Sequence, residues 1–138
     1  LTGLTLAREC SPVIATLYVL NMNNINHQIN EANNALEREE YKKALSILEP
    51  LANKNNPQAL SLLGIMYQLG TGVPLNGEKA VELLSKSAFL GEGVAAHNLG
   101  TIYITGLPGI EKDEVLSKKY YLMAKNLGVK LADDDFYE

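Results

Sequence analysis

The chain has no tryptophan, one cysteine and two histidines among its 138 residues. A lone cysteine, Cys10, excludes an internal disulfide and says nothing about redox compartment. His27 and His97 stand far apart with no His-x-x-x-His or Cys-x-x-Cys spacing, so neither a metal site nor a cofactor is expected. Basic residues are scarce as well: 12 Lys and Arg face 16 Asp and Glu, for a net charge of −4. Nucleic acid wants a dense basic stripe, and the only adjacent pairs, Lys42-Lys43 and Lys118-Lys119, read better as solvated helix faces. Long apolar runs are also missing. Val13 to Leu20 is the longest nearly apolar stretch, and its eight residues fall far short of a membrane span. Its flanks are wrong for a signal-peptide core, because Ser11-Pro12 has the form of a helix start. Arg8 and Glu9 before Cys10 are not the small residues that precede a lipid-attachment cysteine. The first residue is leucine, so a processed or trimmed chain is expected, with the bacterial periplasm favoured over the cytoplasm.

What the chain does have is a repeat. Leu63-Gly64-Ile65-Met66-Tyr67 returns 36 residues later as Leu99-Gly100-Thr101-Ile102-Tyr103. At the same interval Gly70 returns as Gly106, Ala59 as Ala95, Ala44 as Ala80, Leu48 as Leu84 and Ala52 as Ala88. A spacing shared by small, apolar and aromatic positions marks a supersecondary unit copied along the chain. Such a unit cannot bury its apolar face alone and must stack on its neighbours.

Periodicity places the helices. Ile14, Tyr18, Met22, Ile25, Ile29, Ala32 and Leu36 follow one another at steps of three or four, which predicts a helical stripe held for six turns. Its other faces are crowded with asparagine, a poor helix former, so a break near Asn23 is expected. A second helix starts near Glu39 and presents Tyr41, Ala44, Leu45, Leu48 and Ala52, with Pro50 predicting a kink or a ragged last turn. Asn56-Pro57 reads as N-cap and first residue of a third helix that carries Ala59, Leu63 and Tyr67 and stops at Gly70. A fourth helix follows Asn76 and buries Ala80, Leu83, Leu84 and Ala88, ending at Gly91. The fifth repeats the third with Ala95, Leu99 and Tyr103; after a turn one residue longer, the sixth follows Asp113 and holds Leu116, Tyr120, Tyr121, Ala124 and Leu127.

The organisation expected is a loose leader at 1–10 and one repeat domain at 11–138. Within it lie an N-terminal helix plus first pair (11–55), repeats at 56–91 and 92–128, and a C-terminal capping helix at 129–138.

One unit carries a specific pattern: Ala59, Leu63-Gly64, Tyr67, Gly70-x-Gly72-Val73, Asn76, Lys79-Ala80 and Ser87-Ala88-x-x-Gly91. These residues resemble Sel1-like repeats, relatives of tetratricopeptide repeats. The next unit is looser, with Leu116-Ser117 in place of Lys-Ala and Ala124-Lys125 in place of the alanine pair. The resemblance implies an all-α, right-handed α-solenoid of antiparallel helix pairs used for protein–protein binding.

Enzyme chemistry finds little to work with. Gly70-x-Gly72 lacks a third glycine at position 75 and a preceding strand, which leaves a helix-ending turn rather than a dinucleotide site. Asp133-Asp134-Asp135 lacks the alternating ligands and glycine of a calcium loop. No nucleophile stands beside a base, so the chain is read as non-enzymatic.

A partner is expected on the inner face, lined by the first helix of each pair. Off the core positions, this leaves Ser61, Leu62, Ile65 and Gln68 on helix three and His97, Asn98, Thr101 and Ile104 on helix five. Leu62 and Ile65 would be either interface anchors or packing for the long N-terminal helix. The small size, few repeats and lack of a fused domain point to a bacterial immunity or inhibitor protein, with one protein partner: a toxic effector bearing a basic surface. The alternatives are an adaptor in a secretion or envelope pathway, and a structural protein that self-associates through open repeat ends.

Overall fold

The computed structural model describes residues 11–130. They form six helices: α1 (Pro12–Glu37), α2 (Tyr41–Asn53), α3 (Pro57–Leu69), α4 (Gly77–Phe89), α5 (Gly93–Thr105) and α6 (Glu114–Asn126). The expected leader at 1–10, with Cys10, lies outside the described residues, as do 131–138 of the expected capping helix, including Asp133-Asp134-Asp135.

Local chemistry sets the helix starts. Pro12 and Pro57 sit in the first turns of α1 and α3, and each is preceded by a capping side chain. Asn56 Oδ1 accepts from the Ala59 N–H at 2.9 Å, Asn76 Oδ1 from Lys79 N–H at 3.0 Å, and Asp113 Oδ1 from Leu116 N–H at 2.9 Å. Each satisfies a donor that the first turn leaves unpaired. α3 ends on Gly70 in the left-handed conformation (φ 68°), where a side chain would be strained. Pro50 does not end α2; the helix runs on to Asn53 and its last turn tightens, Lys54 N–H donating to the Leu51 carbonyl at 3.2 Å.

Successive helices pair in order, and α3 also touches α5 directly. The odd-numbered helices therefore form the inner, concave layer of an α-solenoid, and α2, α4 and α6 form the outer one. Gly64 and Gly100 stand where the partner helix leaves no room for a side chain. A Cβ on Gly64 would come 2.7 Å from Leu84 Cγ, and one on Gly100 would come 2.8 Å from the Tyr121 ring. Two buried serines add cross-links: Ser87 Oγ–H donates to the Pro57 carbonyl at 2.7 Å, and Ser117 Oγ–H to the Gly100 carbonyl at 2.8 Å.

The core has two parts. One gathers α1, α2 and α3, with Leu83 from α4, around Ala32, Leu48 and Leu63; the other gathers α4, α5 and α6 around Leu84, Leu99 and Ala124. Tyr67 packs against both and joins them. Its ring is half-buried, as is that of Tyr103; the enclosed positions belong to the preceding residues, Met66 and Ile102.

α1 departs from expectation twice. It does not break near Asn23, but runs unbroken for 26 residues. It contains no glycine and no internal proline, and an exposed asparagine costs at most about 0.7 kcal/mol of helix propensity. Its stripe is buried only at Ile29, Ala32 and Ala35. The cause is length: the 13 residues of α2 span about 20 Å and cover only the last half of α1. Ile14, Tyr18 and Met22 are consequently exposed, together with Val13, Leu17, Val19 and Leu20.

Candidate functional site

The concave layer holds a hollow of about 140 Å³ between α1, α3 and α5. Ile29 and Asn33 line it from α1, Ser61, Leu62 and Ile65 from α3, and Glu92 and Val94 from the start of α5. Cavities of about 150 Å³ hold a benzene-sized molecule, so this one has room for a single side chain. Gln58 lines it as well and also belongs to a second hollow of about 250 Å³. That second hollow continues the trough along α1 past Met22, Ile25 and Asn26. The two share Gln58 and Glu92, and together form a groove that crosses three successive units.

Four polar side chains of this groove are unspent among the described residues. Glu92 occupies the N-cap position of α5, yet its side chain caps nothing, unlike those of Asn56, Asn76 and Asp113. Among the described residues it forms no ion pair, and it is the only charged residue lining either hollow. Asn26, Asn33 and Gln58 likewise make no side-chain hydrogen bond among the described residues. Periodicity could not find these four residues, because none of them recurs in the repeat.

The sequence-derived candidates divide. Leu62 and Ile65 are half-buried and line the groove, Leu62 packing on the α1–α3 core and Ile65 on the α4–α6 core. Ser61 is 3% exposed and forms floor rather than an open contact. Gln68 is half-buried, and its enclosed Oε1 has no hydrogen-bond partner among the described residues. His97 and Thr101 turn toward α6: the His97 ring meets Tyr121 edge-on at 5.4 Å, and Thr101 Oγ1 lies 3.0 Å from the Tyr121 hydroxyl. Asn98 donates its Nδ2–H to the Val94 carbonyl at 2.8 Å, and Ile104 is exposed.

Elsewhere the electrostatics are local. Lys86 and Lys79 flank Glu82 on α4 and hold its carboxyl below the usual value. Burial raises the Tyr103 hydroxyl above its ordinary value, with smaller contributions from Tyr120 and Asp113. Among the described residues no three His, Cys, Asp or Glu side chains gather as a metal site, and no helix is long and apolar enough to cross a membrane.

The Sel1 repeat family model matches residues 57–91 and again residues 93–129, together more than half of the chain. This chain belongs to the Sel1 repeat family. Its Sel1 repeats are 31% identical to those in the crystal structure of a Sel1 repeat protein from Oxalobacter formigenes, with a TM-score of 0.64 over 72% of this chain and 39% of that one. A protective antigen of uropathogenic Escherichia coli with an SLR fold shares the fold at a TM-score of 0.66 and 22% identity, over 85% of this chain and 26% of that one. Chitin synthase regulatory factor 2 of Schizosaccharomyces pombe is 34% identical over 95 residues, which are 69% of this chain and 18% of the factor. The chain spans well under half the length of each relative. Sel1 repeats mediate protein binding and are generally non-catalytic scaffolds, and this chain is a Sel1-repeat protein–protein interaction module.

Proposed function

We propose that this chain holds one protein partner in its concave face and changes that partner by occupancy rather than by chemistry. The observation that carries this reading is the groove across α1, α3 and α5: open, apolar at its floor, and edged by Asn26, Asn33, Gln58 and Glu92, whose side chains have no partner among the described residues. Leu62 and Ile65 would supply the anchor, Gln68, Asn98 and Ile104 its margins, and His97 and Thr101 a scaffold tied to α6. A net charge of −4 favours a basic partner surface. In its sharper form the chain is an immunity or inhibitor protein that neutralises a toxic effector. The fission-yeast relative is a regulatory factor by name, which supports regulation by binding; an adaptor in a secretion or envelope pathway is the other form.

Affinity purification with this chain as bait, followed by titration of the partner's activity, tests the reading. Stoichiometric loss of activity marks an inhibitor; a retained partner with unchanged activity marks an adaptor. No retained partner sinks the proposal. For the immunity form, normal growth after deleting this gene beside an intact toxin gene is the fatal result.

A second reading, self-association, is favoured by the exposed apolar residues of α1 between Val13 and Met22. Sedimentation across the micromolar range separates the two.

A further inference from the structure

The groove has a chemistry more specific than a general protein surface. Its floor offers one side-chain-sized apolar hollow bounded by Ile29, Leu62, Ile65 and Val94. Along its length stand three carboxamides, Asn26, Asn33 and Gln58, each with donor and acceptor unbonded among the described residues. A carboxamide presents the same N–H and C=O pair as a peptide bond, so such side chains match the main chain of an extended segment, whose own groups are unpaired. A helical segment has already spent its main-chain groups internally and gains nothing from them. Glu92 then supplies the one charge, at the point shared by the two hollows. It is half-buried, unpaired among the described residues, and faces no lysine or arginine lining the groove.

We propose that the occupant is an extended peptide segment of a partner protein in which an aliphatic residue is followed closely by lysine or arginine. The aliphatic side chain fills the hollow over Leu62 and Ile65, the main chain lies against Asn26, Asn33 and Gln58, and the cation pairs with Glu92. This rests on the reading of the concave face as the binding face and adds the class of ligand to it.

The test uses the full chain on an array of random peptides of about ten residues, read for residue preferences. The expected result is enrichment of an aliphatic residue next to Lys or Arg. Glu92→Gln, which keeps the shape and removes the charge, is expected to erase the basic preference while keeping the aliphatic one. It should weaken the best peptide about fivefold by fluorescence polarisation, the order of a partly exposed ion pair. Val94 is 48% exposed, so Val94→Trp should fill the hollow without disturbing the fold and abolish peptide binding. Thermal melts of both variants confirm folding.

A basic preference unchanged in Glu92→Gln overturns the proposal, as does enrichment of amphipathic helix-forming peptides or an absence of peptide binding. A partner recovered from cells that Val94→Trp still retains leaves the binding function standing and removes this groove as its site. Loss of both partner and peptides in the unmodified chain removes both readings.

Discussion

The Tyr121 ring lies flat against Gly100, so close that a methyl group on that glycine would come within 2.8 Å of ring carbons. This contact is where α5 and α6 meet, and the buried ring is fixed at its far end by Thr101 and at its edge by His97. The equivalent contact in the preceding unit sets Leu84 against Gly64. A leucine can change rotamer more readily than an anchored ring can shift. Gly100→Ala is therefore expected to destabilise by about 2–3 kcal/mol and Gly64→Ala by about 1–2 kcal/mol, within the range for overpacking. Urea unfolding of the two variants checks both the sign and the order.

Tyr67 is the side chain that touches both halves of the core. Because it is only half-buried, Tyr67→Ala should cost about 2–3 kcal/mol, less than the roughly 3–5 kcal/mol of a fully enclosed aromatic. Its position predicts a second effect. In a stack where each unit contacts only its neighbours, weakening the join lets the two halves unfold apart. A broadened or two-step urea transition would be the signature; a sharp single transition at unchanged midpoint would remove Tyr67 from the join.

Tyr103 stacks on Tyr120 with centroids 5.8 Å apart and rings 7° from parallel. Its hydroxyl is raised above 10.0 by burial first, then by Tyr120 and Asp113. The folded state thus holds this proton more tightly than the unfolded state does. Stability from this source is fully present below the unfolded value and is lost as pH rises through the folded one. Melting temperature is expected to fall above the ordinary tyrosine range, and the fall should be shallower in Tyr103→Phe. An identical alkaline slope in the two proteins would contradict the assignment.

Much of this arrangement was legible because it is local or repeated. Asn56, Asn76 and Asp113 cap where their spacing placed them, and Gly64 and Gly100 are small because a helix lies on them. What escaped depends on partners distant in sequence. The stripe from Ile14 to Leu36 is periodic throughout, yet burial is decided by the reach of α2, which periodicity within α1 does not report. Tyr67 shares a face with Leu63, yet its ring is half-buried against both clusters rather than enclosed in one. Glu92 does not recur as a residue in the repeat, and only its uncapped geometry marks it out. Ser61 had the register of a groove position, and close packing beneath the hollow encloses it.

The uncovered half of α1 separates folding from association. Leu17 and Leu20 are 60% and 58% exposed, and belong to neither core. Replacing both with lysine should leave stability within about 0.5 kcal/mol, as for surface positions without special contacts. Between Pro12 and Asn30 the chain carries no Asp, Glu, Lys or Arg, so two copies would meet there without the repulsion that a net charge of −4 otherwise imposes. If α1 joins copies, the unmodified chain sediments faster with rising concentration, and Leu17→Lys with Leu20→Lys restores the monomer at unchanged melting temperature. A chain that stays monomeric across the micromolar range excludes that association, and a large drop in melting temperature in the double variant would mean that this half of α1 packs on the fold.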